Sequence, residues 1–550
     1  MIPFVVLLLA LVGAVLLART VPAERVTRLN VAPLLELRWA PWIIGVLTAG
    51  ICAYVWGHLI APTAVVHDEA SYLVQARIFA HGAFAMPAPS LPEFFEQFHT
   101  YVTPAYASKY PPGHALLLAA GVLVGWPALV PLLLDGLAGA LIFLLARRVA
   151  NPVVGLLTWI IWITAHGSFH FLASYFSETT TTLLWLFGWW ALLEWRETGR
   201  RGWLVALSAS IAWYAITRPL TAVAYAIPVG VVVLMLTARR RAWRSLGLPL
   251  LVGVAILALI PYANQRTTGD WRVMPYSQYS EIYFPWDAPG FGVNLSPPRR
   301  ELPPDMVKFA ASARPPHAYY VSSALPGALL ERMQYVVADM FSGPRVILGA
   351  VALAAIPFLG VEAIFAIATS VLLFLLYLSF GHSPAWTLYY AETLPVLAYL
   401  SAAGLWVLLA GLRASDGRGA FARVPAAPVL AAALLVVASV PVAARLWTYW
   451  RNDSLSTQSY QRSVADAIHG IAEPKAIVFV RYAGWHNIHK SLITNDPDFA
   501  SSHAWVVYDR GQDNVRLMQL APDRRPYVYD ESRLSIISIP PGASTIPGGP

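Results

Sequence analysis

Long apolar runs, separated by short arginine-bearing segments, set the pattern of this chain up to about residue 445. A helix needs about 20 apolar residues to cross the hydrocarbon core of a bilayer. About twelve runs approach or reach that length, near 2–17, 42–60, 127–146, 152–168, 178–194, 203–218, 220–237, 246–263, 344–358, 362–380, 387–411 and 427–445. The pattern predicts an α-helical polytopic membrane protein of about twelve spans. Three hydrophilic stretches interrupt or follow them: 61–126, 264–343 and 446–550. In the last, short strand-like segments at Ala476 to Val480, Trp505 to Tyr508 and Tyr527 to Tyr529 alternate with Gly, Pro, Asn and Asp turn signals, which predicts a small α/β domain. The chain therefore divides into a membrane region, 1–445, and a C-terminal domain, 446–550.

Basic residues orient the spans, because positive charge is retained on the cytoplasmic side. Arg19, Arg25, Arg28 and Arg38 follow the first run; Arg147–Arg148, Arg196/Arg200/Arg201, Arg239–Arg241 with Arg244, and Arg413/Arg418/Arg423 fall between later pairs. This alternation puts all three hydrophilic stretches on the outer side. The turn near Gly360 has no basic residue, so parity alone orients 344–380. The first run, Ile2 to Leu17, lacks a preceding basic residue and reads as a retained helix, not a cleaved signal peptide.

Composition narrows the classes further. The 550 residues are 57% apolar and 12% charged, against roughly 45–50% and 25% in soluble domains, which excludes a single soluble domain. The net charge of +8 is spent on orientation signals, so no nucleic-acid face is built. The single cysteine, Cys52, excludes an intrachain disulfide and a thiolate metal cluster.

Candidate chemistry concentrates in the first outer stretch. His67-Asp68-Glu69 opens a segment in which Tyr72, Leu73, Ala76, Phe79 and Ala80 follow helical spacing, predicting an amphipathic helix on the membrane surface. Helix capping and the helix dipole account for the acids without chemistry. Adjacent carboxylates at the hydrocarbon boundary are nevertheless costly to desolvate, which favours a functional role. Lys109 is one of four lysines, the others being Lys308, Lys475 and Lys490, and it stands just before Pro111-Pro112-Gly113. Its ammonium is placed to meet a phosphate at headgroup level; the competing reading is a side chain that only snorkels to bulk lipid. The run from Ala115 to Val124 is too short to span and reads as re-entrant or interfacial.

An acidic pair in the first outer loop, an amphipathic helix and Lys109-Tyr110-Pro111-Pro112-Gly113 before the next span together resemble the GT-C superfamily of membrane glycosyltransferases. Within it the chain is similar to the bacterial glycosyltransferase family 39-like branch, related to protein O-mannosyltransferases and aminoarabinose transferases. Further segments carry the resemblance: Ser174 to Glu178, Thr217-Arg218-Pro219-Leu220, Thr268-Gly269-Asp270 through Pro275-Tyr276, and Tyr389-Tyr390-Ala391-Glu392-Thr393-Leu394-Pro395. It covers about residues 40–411 and touches the tail at Asn495-Asp496-Pro497. An extra N-terminal span, and an acidic pair after the second span instead of the first, depart from the pattern.

The resemblance implies a GT-C fold in a bacterial inner membrane and inverting transfer of a sugar from a polyprenyl phosphate to a glycan, lipid or protein acceptor at the outer face. It also implies roles. Asp68 is the candidate base for the acceptor hydroxyl and Glu69 a second carboxylate that tunes or orients. Lys109 and Arg218 are candidate phosphate ligands, and Tyr110, Glu178, Tyr390 and Glu392 candidate substrate ligands. Arg218 also reads as a snorkelling arginine and Glu178 as an acid near a helix start. No cofactor is required; a divalent ion on Asp68 and Glu69 is the alternative. The pairs His166/His170 and His486/His489 lack the HExxH form and a cysteine partner, so neither predicts a metal centre. A transporter or lipid flippase is the competing class, but its ionisable groups belong near the bilayer midplane with repeat symmetry, whereas here they gather at one face. A silent scaffold whose tail binds a partner is the third reading.

Overall fold

The computed structural model describes residues 32–56, 64, 66–172, 174–290, 294–318, 320–415, 444, 448, 452 and 459–540. The runs 2–17 and 427–445 (save residue 444), Arg19, Arg25, Arg28, Arg418, Arg423, the side chain of His170 and the last ten residues lie outside the described residues. Helices Ala40–Val55, Leu129–Val149, Pro152–Ile163, Glu178–Thr198, Arg201–Ala215, Pro219–Arg239, Val361–Tyr377 and Leu394–Ser415 fall on the apolar runs. Their lengths are uneven. Among the described residues, Leu129–Val149, Pro219–Arg239 and Trp243–Thr268 are long and apolar enough to cross a membrane. A fourth span arises if Ser322–Phe341 and Gly343–Ala352, bent by 102°, count as one. The break falls at Ser342-Gly343-Pro344, where proline lacks the amide a continuing helix needs. Part of the stretch 264–343, expected as a hydrophilic loop, is thus helical: Leu325–Phe341 buries Arg332, whose guanidinium donates to the carbonyls of Tyr377 (2.7 Å) and Phe380 (3.0 Å).

In lipid, helices gain little from apolar burial against one another and rely on close approach through small residues. Ala40–Val55 crosses Leu129–Val149 in this way. A Cβ on Gly45 would stand 3.0 Å from the Gly136 carbonyl oxygen, and one on Gly136 would stand 2.9 Å from that of Gly45. One turn on, Thr48 donates to the Ile44 carbonyl (2.8 Å) and accepts from Trp159 Nε1 (2.8 Å), tying in a third helix.

The helix His67–Ala80 forms as expected but does not lie on a surface. Tyr72 and Ala76 pack into the core of the helical bundle, while Val74 and Ile78 pack against Phe94, Phe95, Phe479 and Val507. Its second face is covered by the C-terminal domain, a tertiary contact that helical periodicity cannot reveal. A small antiparallel sheet follows, with β3 (Ala105–Ser108) between β1 (Met86–Pro87) and β2 (Thr100–Tyr101).

The three strand-like segments of the tail are strands. β4 (Ala476–Arg481) lies between β5 (Ala504–Tyr508) and β6 (Arg525–Asp530), parallel to both, and β7 (Ser535–Ser538) adds antiparallel to β6. β4 is buried along nearly its whole length, which is why it reads as an unbroken apolar run without alternation. The tail docks on the outer stretches: Tyr508 donates to Asp305 Oδ1 (2.7 Å) and Lys308 Nζ to the Gly484 carbonyl (3.0 Å).

Candidate active site

Glu69 does the capping work at the start of His67–Ala80. Its Oε2 accepts from the Val66 amide (3.2 Å) and its Oε1 from the Tyr175 amide (2.8 Å), so it ties this helix to the segment leading into Glu178–Thr198. Asp68, one residue earlier, caps nothing. Its side chain is 33% exposed, and Oδ1 accepts a close hydrogen bond from the Tyr110 hydroxyl. Oδ2 faces two imidazoles, His67 Nε2 at 3.5 Å and His99 Nε2 at 3.8 Å.

Tyr110 is held by local sequence. Its amide donates to Ser108 Oγ (3.2 Å), the following Pro111 is extended, and Pro112 starts the helix Pro112–Leu123, a position where proline's missing amide costs nothing. Tyr72, one helical turn beyond Asp68, stacks on Tyr110 with ring centroids 4.5 Å apart.

Burial holds His67 down to about 4, with the attraction of Asp68 opposing it, and holds His99 well below the usual range, with the Lys109 ammonium adding to the effect. Both rings are therefore neutral at neutral pH. Lys109 is itself buried; its Nζ lies 4.3 Å from the Tyr276 ring centroid, 5.2 Å from that of Tyr279 and 5.3 Å from that of Tyr110. Burial lowers its proton affinity, opposed by Asp287 and Asp68. It lines a cleft of about 460 Å³, open mouth included, with Tyr110, Pro219, Asn264 and Tyr276.

Arg218 precedes the helix Pro219–Arg239 and makes a close ion pair with Glu178. It also donates to the Leu388 carbonyl (3.1 Å) and Tyr377 Oη (3.4 Å), and stands 5.3 Å from the Tyr389 ring centroid. Glu392 is fully buried; Oε1 accepts from Tyr214 (2.8 Å), and Oε2 has no hydrogen-bond partner among the described residues. Tyr390 turns elsewhere, stacking on Phe374 at 4.2 Å with its hydroxyl 3.1 Å from His382 Nε2.

The fold thus joins Asp68, through Tyr110, to the cleft that Lys109 and Tyr110 line, and sets the Glu178–Arg218 pair and Glu392 within electrostatic reach of one another. Asp68 lies within electrostatic reach of Glu178, Tyr276, Asp287 and Tyr389. Both Glu69 oxygens hold backbone amides, and Tyr390 packs on Phe374. Sequence reasoning gave no role to His67, His99 and Asp287, and read Tyr389 as an aromatic-belt residue, yet all four lie within electrostatic reach of Asp68 or against it; the adjacency of His67 to Asp68 was the one available signal. Of the histidine pairs, His486 Nδ1 meets Glu531 Oε1 at 2.7 Å, and His489 stacks on His67 at 5.4 Å.

A second, apolar cavity of about 1010 Å³ lies toward the other end of Glu178–Thr198, lined by Leu186, Trp189 and Leu193 and edged by an Arg196–Glu362 ion pair at 2.8 Å. Arg196 is 18 residues from Glu178, about 27 Å along a helix axis, so this cavity is separate from the acid cluster.

The chain shares the fold of ArnT from Cupriavidus metallidurans. It matches the structure of that protein bound to undecaprenyl phosphate with a TM-score of 0.52 and 14% identity, over 90% of this chain and 91% of that one. For the apo state of ArnT the TM-score is 0.50 at 14% identity, over 82% of this chain and 83% of that one. No family model and no curated protein matches the sequence. At this identity the likeness carries the fold.

Proposed function

We propose that this protein is a glycosyltransferase that moves a sugar from a polyprenyl phosphate to an acceptor hydroxyl, with inversion, at the outer face of a bacterial inner membrane that it crosses about twelve times. The observation that carries this reading is Asp68: partly exposed, fixed through one oxygen by Tyr110, and set beside the Lys109 cleft. The ArnT structure that shares the fold was obtained with undecaprenyl phosphate, which supports a lipid-phosphate donor here. As the acceptor oxygen attacks the anomeric carbon, its proton passes to Asp68 Oδ2 and the bond from that carbon to the phosphate oxygen breaks. The departing phosphate takes the electron pair, and Lys109 meets the charge that develops on it. Arg218, already paired with Glu178, acts at second hand by fixing the wall that carries Tyr389 and Tyr377. Glu69 orients Asp68 through the helix start.

The test is transfer of radiolabelled sugar from a polyprenyl phosphate in nanodiscs. Asn has nearly the size of Asp but takes up no proton, so Asp68→Asn should slow turnover by roughly 10²–10⁴ while the shift in melting temperature given by undecaprenyl phosphate persists. Turnover near the unaltered rate would remove Asp68 from the mechanism.

A further inference from the structure

The apolar cavity toward the far end of Glu178–Thr198 has no part in the transfer chemistry. It holds about 1010 Å³, open side included, and Ile142, Leu145, Leu186, Leu193, Val232 and Phe365 make its wall hydrocarbon. Packed interiors leave few gaps larger than a water molecule, and a water settles only where about two to four polar partners meet it. This wall offers almost none, so the cavity fits a hydrocarbon occupant. Its length is also defined. On the helix Glu178–Thr198 the lining runs from Leu186 to Arg196, about 15 Å of rise, which is one leaflet of a hydrocarbon core about 30 Å thick. Two polar features complete it. Arg196, in the last turn of its helix, pairs at 2.8 Å with Glu362, in the first turn of Val361–Tyr377, and the two side chains stay 36% and 28% exposed. Such an exposed pair adds little stability by itself. Trp189, two turns from Arg196, lines the same wall, and its indole N–H is buried without a hydrogen-bond partner among the described residues. Buried donors in native proteins nearly always have an acceptor.

We infer that this cavity binds a zwitterionic phospholipid of the phosphatidylethanolamine type, with an acyl chain along the apolar wall, an ester carbonyl on Trp189 Nε1, the phosphate on Arg196 and the ammonium on Glu362. The headgroup follows from charge. An anionic lipid such as phosphatidylglycerol supplies an acceptor for Arg196 but sets its phosphate against Glu362, where like charges repel. The zwitterion presents both signs to a pair that presents both. The leaflet follows from the helix: Glu178, at its start, belongs to the acid cluster, about 27 Å of rise from Arg196. The headgroup bound here therefore lies in the leaflet opposite the one that holds the donor phosphate. That sidedness rests on the proposed transferase reading, whereas the cavity, its rim charges and the bare indole do not. A polyprenyl phosphate is a poor occupant, since it carries no ammonium for Glu362. The bound lipid acts as packing, filling the seam among Leu129–Val149, Glu178–Thr198 and Val361–Tyr377, whose side chains line it.

Full-length protein stripped of lipid in detergent should take up one saturable phosphatidylethanolamine in native mass spectrometry, in preference to phosphatidylglycerol. A phosphatidylethanolamine with a photoreactive acyl chain, added to the unaltered protein in phosphatidylglycerol nanodiscs, should label the stretch from Leu186 to Leu193 saturably, a readout that needs no variant. Unlabelled phosphatidylethanolamine should compete and undecaprenyl phosphate should not. Glu362→Gln should weaken phosphatidylethanolamine binding by roughly fivefold and erase its preference over phosphatidylglycerol. Leu193→Trp, which fills the cavity, should abolish the saturable label, whereas Leu251→Trp, on an outward face where Leu251 is 66% exposed, should leave it unchanged. Labelling from Leu186 to Leu193 no stronger than from Leu250 to Val254, equal affinity of the unaltered protein for the two phospholipids, or displacement by undecaprenyl phosphate would overturn the site. The last result would give the cavity to the donor's own chain. Phospholipid binding is read without sugar transfer, and transfer is tested separately at Asp68, so failure of either reading leaves the other standing.

Discussion

Replacing Glu178 by Gln isolates the energetics of the buried ion pair behind the site. Glu178 is 1% exposed and Arg218 8%, so neither charge is screened by water. Gln keeps the shape and an acceptor oxygen but leaves the guanidinium hydrogen-bonded to neutral groups, the Leu388 carbonyl and Tyr377. Removing one partner of a buried pair costs about 3–5 kcal/mol. The charge of Glu392, which also acts on Arg218, offsets part of this and sets the expectation near the lower bound, about 3 kcal/mol. At roughly 2 °C per kcal/mol for large chains, the melting temperature should fall by about 6 °C in detergent at a fixed scan rate. The double variant Glu178→Gln/Arg218→Gln removes both charges of the pair and should lose less than Glu178→Gln alone, a coupling that a double-mutant cycle reads directly. A double variant less stable than Glu178→Gln would show that the pair's charges are not coupled as described. Undecaprenyl phosphate adds a second arm. If a phosphate reaches Arg218, it replaces the missing anion and stabilises Glu178→Gln more than the unaltered protein; equal shifts confine the phosphate to Lys109.

Glu69→Gln removes the charge from two amide hydrogen bonds and should lower stability by about 1.5–3 kcal/mol while turnover per folded molecule falls far less than in Asp68→Asn; comparable losses of turnover would give Glu69 a direct part in the chemistry. Glu96 is held up to about 7, chiefly by burial, against the opposing pull of Arg300. The unfolded carboxyl ionises near 4.5, so between there and 7 the unfolded chain gives up a proton that the folded one keeps, and stability falls as pH rises across that window. Glu96→Gln should flatten this stretch of a stability–pH profile, and an unchanged slope would assign it to other groups. A Cβ on Gly404 would stand 2.0 Å from the Val351 carbonyl oxygen, whereas one on Gly50 meets nothing within 4 Å. Gly404→Ala should therefore cost about 1–3 kcal/mol and Gly50→Ala nothing, compared by thermal melts.

Much of this arrangement was legible in the sequence because membrane crossing and strand burial leave continuous apolar runs. Leu129–Val149, Pro219–Arg239 and β4 are found where those runs fall. The clustering of Asp68, Lys109 and Tyr110 with Glu178, Arg218 and Glu392 agrees with reading the first three in an outer loop and the others at the outer ends of their runs. Features that depend on distant contacts were not legible. His99 sits in a turn just before a two-residue strand, and only the bonds to Tyr279, Ser71 and Lys109 aim its ring. The second buried face of His67–Ala80 is created by strands about 400 residues farther along. Tyr389 and Tyr390 are adjacent in sequence and identical in type, and nothing in their spacing says that the first faces Arg218 and the second Phe374.

That long-range cover has a consequence for biosynthesis. Val74 and Ile78 pack against Phe479 and Val507, and His67 against His489, yet roughly 400 residues separate the two sides of this contact. At about 5–20 residues per second, a nascent chain carries the helix with that face bare for about 20–80 s, while the bundle beneath it is already being laid down. For that interval the helix has a reason to lie against lipid, the placement its own periodicity suggests, and it lifts away when the late-made strands arrive. The protein therefore gains its roof last, and a half-made copy carries the helix that bears Asp68 before the strands that cover it.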